Sequence, residues 1–311
     1  MKKTSPWAWI PTLYFAEGLP NVVVTALSIV MYMQMRLSDA EVGLYTLPWV
    51  IKPLWSPFID LLKTKRWWVL AMQLLMGSAL AGIAFTLPTA LWFQGSMAFL
   101  FLMAFASATH DISADGFYMI ELDAHNQSKY VGLRNTFYRL AVIFVNGALV
   151  SLAGLLEHHF HMTIVYTWTL IFYALAAIFI GIYLYHCKMM PRPAEDVSSE
   201  KSVSEVAHEL RTIIGSFFCK FGLKETLFVM LFLLLYRFPE ALLNTMTKTF
   251  LMRSNAEGGL GLTPEEYGLA QGTVGLIGLL LGGILGGVLV SRDGMKKWLW
   301  PMVCAITLPD A

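Results

Sequence analysis

Residues Ser96–Met119 read SMAFLFLMAFASATHDISADGFYM. The run is long enough to cross about 30 Å of hydrocarbon, which takes roughly 20 mainly apolar residues at 1.5 Å each. It nevertheless carries His110, Asp111 and Asp115. Ionisable groups at that depth are costly, so a segment of this kind reads as a membrane helix whose polar residues serve the protein's chemistry.

Windows of the same kind recur on both sides of it. They run from Ala8 to Met33, Ala40 to Leu62, Trp67 to Leu87, Val131 to Leu156, Met162 to Tyr185, Leu227 to Met252 and Tyr267 to Val290, and a ninth starts near Trp298. The chain is 57% hydrophobic and 14% charged, with mean hydropathy +0.60, too apolar for a water-soluble globule with a polar shell. An all-α polytopic membrane protein is therefore expected. The first window holds Glu17 and Pro20 and is too long for a cleaved signal, so it is expected to remain as a helix.

Basic residues set the orientation. Lys2, Lys3, Lys63, Lys65, Arg66, Lys129, Arg134, Lys188, Arg192 and Arg292 fall in one set of loops, whereas the other set offers little beyond Arg36 and Arg253. The positive-inside rule then places the amino terminus in the cytoplasm. Trp7, Trp9, Trp67, Trp68 and Trp298 read as interface anchors. Cys187, Cys219 and Cys304 form no disulfide framework, and no clustered basic groove points to nucleic acid. His158, His159 and His161 lack an acid or cysteine at metal-ligand spacing and read as an exposed turn.

Internal symmetry divides the chain. Residues 1–187 hold six windows, 188–223 form a polar linker with a short amphipathic helix, and 224–311 begin a second half. Phe15-Ala16-Glu17-Gly18-Leu19-Pro20-Asn21 is echoed by Phe238-Pro239-Glu240-Ala241-Leu242-Leu243-Asn244, and Glu41-Val42-Gly43-Leu44 by Glu266-Tyr267-Gly268-Leu269. Two parallel six-helix halves, the second truncated at Ala311, are the expected architecture, and the sequence is expected to be a fragment of a longer transporter. Asp60 with Lys65 and Arg66, and Arg292 with Lys296 and Lys297, where Ser291 stands in place of the expected acid, are paired candidates for a cytoplasmic charge latch.

Candidate site residues follow from cost. Asp111 and Asp115, four apart, share one helix face and are candidates for proton coupling. Glu17, Lys52, His110, Arg237 and Glu240 are candidates for the substrate cavity, with Pro20 and Pro239 as kinks beside it. Either Lys52 or Arg139 could instead neutralise one aspartate permanently. Counting window interiors, and leaving Arg134 out as an end residue, the acids Glu17, Asp111, Asp115 and Glu240 exceed the bases Lys52, Arg139 and Arg237 by one. No Walker sequence, nucleophile elbow or zinc-protease motif occurs, which disfavours ATP-driven transport and hydrolysis.

Glu17-Gly18-Leu19-Pro20, then Lys52-Pro53-Leu54-Trp55-Ser56-Pro57 with Asp60, carry a resemblance to the AmpG branch of the major facilitator superfamily, the muropeptide permeases, which are related to acetyl-CoA transporters. Ser107–Asp115 resembles that branch's Ser-Ala-x-Gln-Asp-Ile-x-x-Asp, with His110 in place of Gln, and Tyr236-Arg237-Phe238-Pro239-Glu240 resembles its Tyr-Lys-Leu-Gly-Asp. The resemblance implies a monomeric, proton-driven importer of cell-wall turnover products, a GlcNAc-anhydro-MurNAc sugar with or without peptide, working by alternating access without a cofactor. The alternatives are a carrier of acetyl-CoA or another anionic metabolite, and a membrane enzyme acting on lipid-linked sugar with Asp111 and Asp115 as its dyad.

Overall fold

The computed structural model describes residues 4–35, 48–49, 52, 55–56, 59 and 62–198, then 204–205, 208, 211–212, 215–216, 222, 224–232, 235, 250–251, 258–261 and 274–307. All regular structure among them is helical. The chain forms two compact units, Met1–Val206 and Ala207–Ala311, and the division lies inside the segment 188–223.

The first unit contains five helical segments long and apolar enough to cross a membrane: Pro6–Tyr32, Lys65–Thr86, Trp92–Glu121, His125–His158 and Ile164–Met189. They coincide with the first, third, fourth, fifth and sixth sequence windows, so the protein is a multi-pass membrane protein. The second and seventh windows lie largely outside the described residues. Individual helices are α1 (Ile10–Val22), α2 (Ser28–Gln34), α3 (Lys65–Thr86), α4 (Trp92–Glu121), α5 (Ala124–Ile143), α6 (Val150–His158) and α7 (Ile164–Met189).

Starts are set by local chemistry. Thr64, Asp123 and Thr163 each adopt extended backbone and accept a hydrogen bond from the backbone N–H three residues on, capping α3, α5 and α7. Asp123 is solvent-exposed, and the Asn126 N–H at 2.8 Å holds its carboxyl below the usual aspartate range. Its contribution is present above the unfolded-state value of about 3.9 and is lost as pH falls through the lower folded value. Fraying at the start of α5 should therefore rise in acid. Asp123→Asn should flatten that dependence, read as amide exchange at Asn126 relative to wild type across the same pH range.

Two spans are not continuous α-helix. After Pro20, which cannot donate to the carbonyl of Ala16, α1 passes into a π turn at Val23–Leu27 before α2. A second π turn, Phe144–Leu149, joins α5 to α6, and the two turns touch. The kink expected beside Pro20 is thus expressed as a widened turn.

Packing places α3 between α4 and α7, and α1 against α5 and α4. One apolar core runs along these helices, from Leu19, Val23 and Leu27 to Met76, Leu80, Met103, Trp168 and Phe172. A smaller core closes one end, where Trp9 meets Phe117 edge-on at 5.2 Å between centroids. Trp9 is fully buried there and is not an interface anchor, whereas Trp7 and Trp67 are exposed. Phe85, Phe101, Tyr166 and Leu184 are exposed apolar side chains of the kind lipid covers.

Gly18 permits the closest approach. A Cβ there would lie 2.8 Å from the backbone oxygen of Tyr138 and 3.1 Å from the Cβ of Ala141, neither of which can swing away. In an open helix Gly→Ala stabilises by about 1 kcal/mol. Here Gly18→Ala is expected to destabilise by ~1–3 kcal/mol through overpacking, visible as a lower unfolding temperature in detergent.

The start of α3 and the end of α7 are tied together by polar contacts. Asp196 accepts from the backbone N–H groups of Lys65 (2.7 Å) and Arg66 (2.9 Å), capping α3 with a carboxylate. The Arg66 guanidinium donates to the carbonyls of Cys187 (2.9 Å) and Met190 (3.4 Å) at the end of α7. The acid at this position is Asp196, from the segment after the sixth window; Asp60 lies outside the described residues.

In the second unit, α8 (Gly275–Asp293) and α9 (Met295–Thr307) meet at Gly294, whose φ of +84° is the left-handed region that glycine enters without strain. Asp293 contacts Arg292 (3.4 Å) and Lys297 (3.5 Å) and accepts from Trp298 Nε1 (3.1 Å). Asp293 therefore supplies the acid that Ser291 does not; Lys296 is exposed beside it.

Candidate functional site

Three helices bring their charged residues together. α1 contributes Tyr14 and Glu17, α4 contributes Asp111 and Asp115, and α5 contributes Arg134 and Tyr138. Lys52, from the second window, completes the group. The i, i+4 spacing on α4 lets both aspartates face α1, and the close contact at Gly18 holds α5 against the same face.

Each aspartate has its own cation. Lys52 Nζ forms an ion pair with Asp111. Arg134 pairs with Asp115 at 2.8 Å, and the same carboxylate oxygen accepts from the Tyr14 hydroxyl at 3.1 Å. The Arg134 guanidinium also lies over the Tyr14 ring, 4.7 Å from its centroid, and 5.6 Å from that of Tyr118. These four partly exposed groups line a polar surface within the first unit: side-chain exposure is 36% for Lys52, 21% for Asp111, 27% for Arg134 and 36% for Asp115. Trp55 extends it, donating to Thr109 at 3.2 Å and stacking at a tilt on Phe105.

Arg134 corrects the interior count. It is not an end residue, because α5 begins at Ala124 and Arg134 stands almost three turns inside it. Arg139 forms no ion pair with an acid among the described residues. Of the two neutralising cations considered from the sequence, the structure keeps Lys52 and replaces Arg139 with Arg134.

His110 lies elsewhere. Its side chain is fully buried and receives a hydrogen bond from Gln73 Nε2 (3.1 Å), whose Oε1 lies 3.0 Å from His186 Nδ1; His186 Nε2 is in turn 2.8 Å from Thr12 Oγ1. This chain of four side chains crosses α4, α3, α7 and α1 and fixes their packing. His110, expected to line the substrate cavity, is thus fully buried among packed helices and apart from the polar surface. Gln73 and His186 carried no signal in the sequence beyond being polar residues inside apolar runs. Arg237 and Glu240 lie outside the described residues.

A cluster of three acids and two cations on packed membrane helices can bind a polar solute, hold a proton, or exchange one ion pair for another. It has no counterpart among the described residues of the second unit.

Comparison with known proteins agrees with this picture. The chain is 27% identical over 298 residues to the anhydromuropeptide permease of Escherichia coli K12, an alignment covering 92% of this chain and 56% of that protein. It is 27% identical over 309 residues to an uncharacterized protein of Haemophilus influenzae Rd, covering 94% of this chain and 67% of that one. It is 22% identical over 302 residues to a Rickettsia conorii protein carrying the name AmpG 4, covering 92% and 68%. The chain thus spans little more than half the length of the Escherichia coli relative. The model of the BT1 family matches residues 17–308, from the glutamate of the charged cluster to the last described helix, and the chain belongs to that family.

Proposed function

We propose that this chain is the larger part of a proton-coupled importer of cell-wall turnover products, carrying an anhydro-muropeptide sugar with or without peptide across the bacterial inner membrane. It has a major facilitator architecture, works by alternating access, and keeps its amino terminus in the cytoplasm. The observation that carries the reading is the cluster of Glu17, Asp111, Asp115, Lys52 and Arg134 on adjacent membrane helices. The name of the Escherichia coli relative supplies the substrate class. Ion pairs that reach a polar surface offer both a recognition site for hydroxyl, amide and carboxylate groups of a sugar-peptide and a place where protons can be exchanged.

Transport, not enzymatic turnover, fits a site whose two aspartates are each paired to a cation. Relatives named as permeases lend no support to an acetyl-CoA carrier. Uptake of labelled anhydro-muropeptide by the full-length protein in proteoliposomes, with and without an inward proton gradient, tests the proposal. Accumulation that requires the gradient is expected; equal uptake without it removes the coupling, and no uptake by folded protein removes the substrate.

A further inference from the structure

Three carboxyl groups meet where α1 crosses α4, and two of them are matched by cations. Lys52 engages Asp111, while Arg134 and the Tyr14 hydroxyl engage Asp115. The third, Glu17, is 7% exposed, and its Oε2 is buried with no hydrogen-bond partner among the described residues. Its acidic neighbours are Asp111 and Asp115, both on α4.

A carboxylate buried with neither a hydrogen bond nor a cation is costly, so a carboxyl held in that way keeps its proton. Which of the three is so held is decided by the neighbours. Asp111 faces the Lys52 ammonium, which holds it as the anion; Glu17 has no cation at ion-pair distance among the described residues. Every other charged or titratable group around Glu17 leaves that choice unchanged. Asp115, on α4, is an anion already committed to Arg134; Arg134, on α5, is turned to Asp115; Tyr138, on α5, and Tyr14, on α1 itself, are neutral phenols.

We infer that Glu17 is the group that carries the proton, with Asp111 and Asp115 held as anions by Lys52 and Arg134. The step balances simply. When Glu17 releases H⁺ to water, the cluster holds three carboxylates against two cations, and reprotonation of Glu17 restores two against two. This moves the proton site from Asp111 and Asp115, where sequence spacing puts it, to the helix that contacts both α4 and α5. The tie between this proton and solute movement rests on the transport reading above; the location of the proton does not.

Infrared spectroscopy of the full-length protein in lipid tests the location without any substrate. Near neutral pH a protonated-carboxyl C=O stretch is expected in the wild type. It should vanish in Glu17→Gln, shift in Glu17→Asp, and persist in Glu157→Gln, which removes the other acid with a buried unpartnered oxygen among the described residues. Absence of the band in wild type, or its survival unchanged in Glu17→Gln, overturns the inference. If Glu17→Gln does not fold, Glu17→Asp decides, since an unshifted band there also overturns it. In proteoliposomes, Glu17→Gln is expected to lose gradient-driven accumulation of muropeptide by about 10-fold or more, the equivalent of ~1.4 kcal/mol. Retained accumulation overturns the inference. A correct infrared result with no muropeptide uptake by wild type leaves the proton on Glu17 and rejects only the substrate.

Discussion

Lys52→Met is expected to reduce gradient-driven uptake by roughly 30-fold or more, the equivalent of the ~2 kcal/mol lower bound for truncating one partner of a desolvated charge pair. The lower bound applies because both side chains reach water, at 36% and 21% exposure. Without the ammonium, Asp111 is left with no compensating cation, so it draws in a proton of its own and no longer differs from Glu17. Lys52→Arg tests geometry against charge: the guanidinium keeps Asp111 as the anion but presents a rigid planar fork in place of a compact, rotatable ammonium. The double variant Lys52→Met/Asp111→Asn removes both charges together. It should recover most of the thermal stability lost in Lys52→Met and none of the uptake, and recovery of uptake would dissociate this pair from transport.

The second large effect belongs to Arg134. Its replacement by alanine leaves the Asp115 carboxylate with only the Tyr14 hydroxyl and removes a guanidinium from two aromatic rings. A fully buried pair broken in this way costs ~3–5 kcal/mol. Partial exposure lowers that, while two cation–π contacts add about 0.5–1 kcal/mol each. A net loss of about 3 kcal/mol is expected, read as a large drop in unfolding temperature in detergent. Arg134→Lys keeps the charge but not the planar face, so roughly half the loss should remain. Because Arg134 joins α5 to residues of both α1 and α4, its loss should loosen all three helices together, seen as faster amide exchange along Ala124–Ile143. A change confined to the immediate neighbourhood of Asp115 would show that the three helices are held by their apolar core alone.

The membrane-spanning character of the first unit was legible because each helix must be apolar over its whole crossing length. The window at Ser96–Met119 differs from the helix Trp92–Glu121 by only a few residues at each end. The fifth window failed most, starting at Val131 where α5 starts at Ala124. The first half of that helix is polar, with His125, Asn126, Gln127, Lys129, Arg134 and Asn135, and a hydropathy window cannot distinguish such a stretch from a loop. Arg134 was misplaced for that reason, and the partner of Asp115 with it. Asp111, Asp115, Glu17 and Lys52 stood out because each is an ionisable residue in an apolar run. The order among them did not, since which carboxyl meets which cation depends on helix crossings that no single-helix spacing encodes. The same limit hid the chain from Thr12 through His186 and Gln73 to His110, whose four members lie on four helices. His110 stood out only by the residue type it displaces.

The touching π turns at Val23–Leu27 and Phe144–Leu149 bear on how such a site could be worked. A π turn is an α-helix holding one surplus residue. Passing that surplus along by one position turns only the residue it passes, by about 100°, and leaves the hydrogen-bonded ladders on both sides whole. Glu17, Gly18 and Pro20 lie on one side of the first turn, and Arg134 and Tyr138 lie on the corresponding side of the second. Side chains along the far halves of these two spans can therefore be re-aimed one at a time, like beads passed along a wire, beside a charged cluster that keeps its register.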